Sequence, residues 1–308
     1  MKYLLLLHLI VFIFGFTGIL GKLIEMGGVG SELSRSVNLV VYRMVIAAIG
    51  ILGYIIYRRR SFAIETRWLV SLVLVGGLIA AHWITFFLAI KVSNVSVTLA
   101  CISSAALFTA FLEPLILKKK LDYTEVLMGL AIIGGIYIIF QAKLEYVDGI
   151  LLSLLSAFLA ALFAVLNAKF IRSKGSSLIS FYELASGAIL AMIFLGISDI
   201  GFISPAAISS EDWIYLIILG LVATAFAFVV SVFVMRSLSP FTVSLAINLE
   251  PIYAMILALI IFDDEQMNSS FYIGAGIIIG TLTLNGYIKR LRSRKTRKPD
   301  PPEPRLID

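Results

Sequence analysis

The chain has 308 residues, of which 60% are apolar and only 14% charged, with a mean hydropathy of +1.02, values that exclude an ordinary water-soluble domain. A net charge of +6 and a pI near 9.3 raise the question of a nucleic-acid partner, but the basic residues flank apolar runs and no aromatic-basic surface motif accompanies them. The lone cysteine, Cys101, excludes an intramolecular disulfide and a cysteine-based metal site.

In chain order, apolar runs of about 20 residues alternate with short charged punctuation, the pattern of repeated membrane crossing. Lys2 and the apolar stretch after it imitate a signal peptide, yet no small-x-small cleavage site follows, so Tyr3 to Ile24 is predicted as the first span. Ser36 to Tyr57, Arg67 to Ile90, Ser93 to Leu117 and Thr124 to Gln141 complete a first half. The second comprises Val147 to Ala168, Leu178 to Ser198, Asp212 to Met235, Pro240 to Phe262 and Ser270 to Ile288. The predicted fold is an all-α membrane protein of ten transmembrane helices, with five-helix units over residues 1–143 and 144–288 and a tail over 289–308.

Loop charge sets the orientation, because Lys and Arg are retained in the cytoplasm. With the amino terminus inside, the inner loops hold twelve basic residues before the tail, among them Arg58, Arg59, Arg60, Lys118, Lys119, Lys120, Arg172 and Arg236. The outer loops hold four, Lys22, Arg35, Lys91 and Lys143, and collect acids such as Asp212, Asp263, Asp264 and Glu265. Both termini are therefore predicted to be cytoplasmic in an inner membrane. The tail, basic from Lys289 to Lys298 and proline-rich from Pro299, is too polar to pack; it reads as a topology anchor or as a contact for anionic lipid.

An internal repeat appears at an offset of 145 residues, which sets Lys91 on Arg236, Asn94 on Ser239, Ala106 on Pro251 and Gly135 on Gly280. Five spans per half make the halves inverted with respect to each other, the symmetry that alternating-access carriers use. Ala131 with Gly135, and Gly276 with Gly280, are expected to let the last helix of each half approach a neighbour closely.

These residues resemble the EamA-type transporters of the drug/metabolite transporter superfamily over about residues 3 to 288. The resemblance rests on Leu39-Val-Val-Tyr-Arg43, Ala89-Ile-Lys-Val-Ser-Asn-Val-Ser96, Ser239-Pro240-Phe241, Leu249-Glu250-Pro251 and the acidic turn Asp263-Asp264-Glu265. The first half departs from the family pattern at Ala106, where a proline is common, and at Lys120, where an acid is usual. The resemblance implies a helical bundle around a central cavity, with small metabolites, amino acids or drugs as substrates.

Ionisable groups within hydrocarbon require a partner or a wet cavity. Arg43 and His82 sit at matching depths, roughly 10 Å below the outer ends of their spans, and are expected to share one vestibule. Arg43 suits a carboxylate or phosphate, or a tie to helix carbonyls; His82 suits a proton relay or a bond between two helices. Glu183 lies about five residues into the seventh span, and Glu113 near the cytoplasmic end of the fourth, where an interfacial ion pair explains it. Glu250 is nearest the midplane and precedes Pro251, which favours a binding, proton-coupling or hinge position; Asn248 and Asn167 add hydrogen bonds. Flat apolar walls are expected from a subset of Phe16, Trp83, Phe108 and Phe226.

No His-Glu-x-x-His, Gly-x-Ser-x-Gly, phosphate-binding loop or acidic metal cluster is present, so neither an enzyme nor a cofactor is expected. The short loops leave no room for a nucleotide domain. The function read from the sequence is secondary transport of a small organic metabolite, the alternative being a non-transporting scaffold or lipid-handling protein.

Overall fold

The computed structural model describes residues 2–140, 147–172, 174–261 and 269–296. The acidic turn Asp263-Asp264-Glu265, Lys143 and the tail from Arg297 onward lie outside them. The described residues are helical, without strands. The first half contains α1 (Lys2–Leu23), α2 (Glu32–Tyr57), α3 (Thr66–Val92), α4 (Val95–Ile102), α5 (Ala105–Leu117) and α6 (Tyr123–Phe140). The second contains α7 (Val147–Phe170), α8 (Ser176–Ile197), α9 (Ser210–Gly220), α10 (Ala227–Val234), α11 (Pro240–Ile247), α12 (Glu250–Ile261) and α13 (Ser269–Thr296). Six stretches among the described residues are long and apolar enough to cross a bilayer, which makes this a multi-pass membrane protein.

The fourth and ninth predicted spans are each broken. At Ser103–Ser104 and Asn248–Leu249 the α-type ladder gives way to three-residue bonds, Ser104 N to Cys101 O at 3.0 Å and Leu249 N to Ala246 O at 3.0 Å. Serine hydroxyls satisfy carbonyls at the first break, Ser103 on Leu99 O and Ser104 on Cys101 O. The breaks are 145 residues apart, and so are the capping residues upstream: Asn94 Oδ1 accepts from Val97 N, and Ser239 Oγ from Thr242 N. Pro251 falls in the first turn of α12, where a missing N–H is harmless, instead of bending a continuous helix. The first-half break forms beside Ala106, without a proline.

Around this frame α3 packs on α7 and α8, α2 on α8, and α6 on α13. Gly76 and Gly187 permit the α3–α8 crossing: a Cβ on Gly76 would strike Glu183 O and the Ser186 hydroxyl, leaving no space for alanine. Among the small residues expected at helix contacts, Gly135 faces Ile277 and Gly274 O across the α6–α13 seam, where an added Cβ would be crowded. Ala131 is exposed, and Gly276 and Gly280 face open space, because α13 turns Gly274 and Ile278 inward instead.

Candidate functional site

A cavity of about 110 Å³ lies where the broken helices meet, with Ile102 and Ala105 flanking one break and Ile247, Asn248 and Glu250 the other. Its remaining walls come from α1, α2, α3, α7 and α10. Phe14, Trp83, Phe86, Phe163 and Phe228 supply aromatic faces, and Thr17, Ser231 and Ser244 supply hydroxyls.

Arg43 projects from α2 and is only 1% exposed. Between α9 and α10 the helix widens into a π-helical turn, Leu221–Phe226, which offers groups that a regular helix keeps to itself. Arg43 Nε donates to Thr224 Oγ1 at 2.6 Å and Nη2 to Ala223 O at 3.4 Å, while Thr224 Oγ1 donates to Leu219 O. The guanidinium carbon lies 4.0 Å from the centre of the Trp83 ring. Nη1 has no hydrogen-bond partner among the described residues.

His82, on α3, is held by α7. Its Nδ1 lies 2.9 Å from Ser156 O and 2.8 Å from Ser156 Oγ, and Ser156 Oγ is 2.8 Å from His82 O. A serine hydroxyl has one hydrogen, spent here on His82 O, so both Ser156 oxygens accept and Nδ1 carries the proton of the neutral ring. Nε2 is then the basic atom of a ring that borders the cavity.

Glu250, 8% exposed, opens α12 and meets the same space. It accepts no hydrogen bond from the described residues, and among them it forms no direct ion pair with Arg43, although each charge acts on the other. Asn248 and Thr17 line the cavity, and among the described residues Asn248 Nδ2 and Thr17 Oγ1 also lack partners. Four polar groups therefore have bonding capacity to spare in one buried space, an arrangement that favours a polar ligand or ordered water.

Arg43, His82, Trp83, Asn248 and Glu250 thus border one cavity, whereas Glu183 and Phe108 do not. Glu183 points between helices: its Oε2 accepts from Asn167 Nδ2 at 3.2 Å, and α8 turns it toward α3 and α7. Phe108 packs edge-on to Phe158, with ring centres 5.7 Å apart. Phe16 likewise packs edge-on to Phe12, and Phe226 lies two residues before Phe228, on the opposite helical face. Glu113 is buried, accepting from Lys119 Nζ at 2.6 Å and Phe241 N at 3.0 Å, so it fastens the start of α11 to α5. Sequence reasoning missed Thr17, Thr224 and the π-helical turn; an unpaired arginine in one span facing a lone threonine in another is the only signal the sequence offers for them.

Residues 1–141 and 147–287 each match the EamA-like transporter family. This chain belongs to that family. An uncharacterized transporter of Archaeoglobus fulgidus is 24% identical over 250 residues, which cover 79% of this chain and 84% of the relative. A solved crystal structure superposes with a TM-score of 0.74 at 17% identity, over 95% of this chain and 99% of the other, and supports the fold alone. The EamA-family chain is thus a multi-pass membrane transporter.

Proposed function

We propose that this transporter carries a small organic metabolite bearing both an acidic and a basic group, an amino acid or close relative, across the inner membrane by alternating access. The observation that carries the reading is the pairing of Arg43 and Glu250 on one cavity without a bond between them. Arg43 has two donors fixed by Thr224 and Ala223 and a third, Nη1, for a carboxylate; Glu250 answers an ammonium group. The aromatic walls then receive the apolar part of the solute. When the ammonium leaves, Glu250 takes a proton in its place, which couples the solute to a proton gradient.

Ten crossings in two inverted five-helix repeats, with both termini cytoplasmic, complete the reading. Helix starts in the two halves differ by 144 to 146 residues throughout, which supports it. The matched breaks give the two halves corresponding hinges beside the cavity.

Purified protein in proteoliposomes, offered a panel of labelled amino acids with and without an outward proton gradient (acidic lumen), tests this, because solute and proton exchange on Glu250. Wild type is expected to take up at least one amino acid faster with the gradient, Arg43→Gln to lose uptake, and Glu250→Gln to lose gradient dependence. Uptake of purely anionic or cationic solutes only, or a fully active Glu250→Gln, would overturn the assignment.

A further inference from the structure

A second concavity, about 560 Å³, lies on the flank of the molecule between α2, the start of α8 and the outer face of α10. One end is cationic. Arg60 and Arg236, both exposed, come together there although 176 positions separate them in sequence. Neither has an acidic partner among the described residues. Each guanidinium instead rests 5.8 Å from an aromatic ring of the same groove, Arg60 over Tyr54 and Arg236 over Phe233. The opening turn of α8, with Ser176 and Ser177 at this end, has Gly175 as its cap, and among the described residues no side chain accepts from its amides.

The rest of the groove is apolar. From Arg236 back to Leu221 it follows the chain for roughly 20 Å at helical rise, more than half of the ~30 Å hydrocarbon thickness. Leu221, 41% exposed, and Phe226, 46% exposed, border it and leave it open sideways to the bilayer. Hydrocarbon has no water to fill such a trough, and a soluble anion would satisfy the arginines while leaving the apolar walls bare. A molecule with an anionic head and a long apolar chain satisfies both.

We propose that this groove is a binding site for an anionic phospholipid, its phosphate between Arg60 and Arg236 and an acyl chain along α10. The site is separate from the central cavity: the stretch from the π-helical turn through α10 turns Phe228, Ser231 and Met235 to the cavity, and Phe226, Val229 and Phe233 to the groove.

The experiment is native mass spectrometry of the full chain in detergent, titrated with phosphatidylglycerol, phosphatidylcholine or glycerol phosphate. Phosphatidylglycerol is expected to be retained most strongly, with affinity falling about five-fold for Arg60→Gln and roughly thirty-fold for Arg60→Gln with Arg236→Gln. A Val229→Trp variant, which fills the trough and keeps both arginines, is expected to lose phosphatidylglycerol but not the weaker glycerol phosphate binding. Equal retention of phosphatidylcholine, undiminished binding to the double variant, or glycerol phosphate competing as well as the lipid would overturn the proposal. Both arginines are exposed and lie outside the helix interiors, so each variant is expected to keep the wild-type melting temperature.

Discussion

Placing Arg43 at 1% exposure inside a span costs several kcal/mol unless its donors are used, and only two of its three nitrogens are. Lysine keeps the charge but not the fork that reaches Thr224 and Ala223 together. Arg43→Lys is therefore expected to raise the KM for uptake at least about ten-fold, while Arg43→Gln loses uptake, measured as initial rates in proteoliposomes. At the far end of the bundle, Asp212 accepts from Glu25 N at 3.2 Å and Gly27 N at 3.3 Å, fixing the turn between α1 and α2. Gly27 has φ of 72° and its position faces Ala207 O, so a side chain there meets both backbone strain and a carbonyl. Gly27→Ala is expected to destabilise the protein by about 1–3 kcal/mol, read as a lowered melting temperature in detergent. Uptake per folded molecule should not change.

The short helix α11 is eight residues long, too short to hold its place through its own ladder. Ser239 caps it, and Glu113 binds Phe241 N from α5 while Lys119 neutralises the carboxylate. Glu113→Ala leaves Lys119 and the start of α11 without that carboxylate, and a loss of about 1–3 kcal/mol is expected in thermal melts. Most of this element pattern was legible in the sequence, since long apolar runs with charged ends admit little else; the breaks were not. Ser103–Ser104 sits in an unremarkable apolar run, and only the tertiary setting makes its three-residue bonds cheaper than a continuous helix. Pro251 pointed to the right place for an incomplete reason. Depth is also legible, which puts Arg43 beside His82 in one vestibule and Glu250 separately near the midplane. Azimuth was not: the helices are apolar nearly all round, so Glu183 and Phe108 could not be told from residues facing the cavity.

At the scale of the whole molecule, Arg60 and Arg236 meet at one end of the bundle, as loop charge requires if both face the cytoplasm. Single cysteines at Lys119 and Val29, introduced after Cys101→Ser, test the orientation in intact cells. Labelling by an impermeant reagent is expected at Val29 and not at Lys119, and the reverse pattern would invert the assignment. If the halves exchange conformations as proposed, the matched breaks carry a further consequence, because they coincide in position but differ in chemistry. One is a serine pair that satisfies its own carbonyls; the other joins an amide with an unused donor to a carboxylate. Two wells of a landscape built from unlike hinges have unlike depths, and about 1.4 kcal/mol between them places ten molecules in one well for each in the other. The empty carrier therefore has a preferred side on which to wait. Substrate offered from that side finds a ready site, while substrate from the other must first draw on the rarer form and shows the weaker apparent affinity.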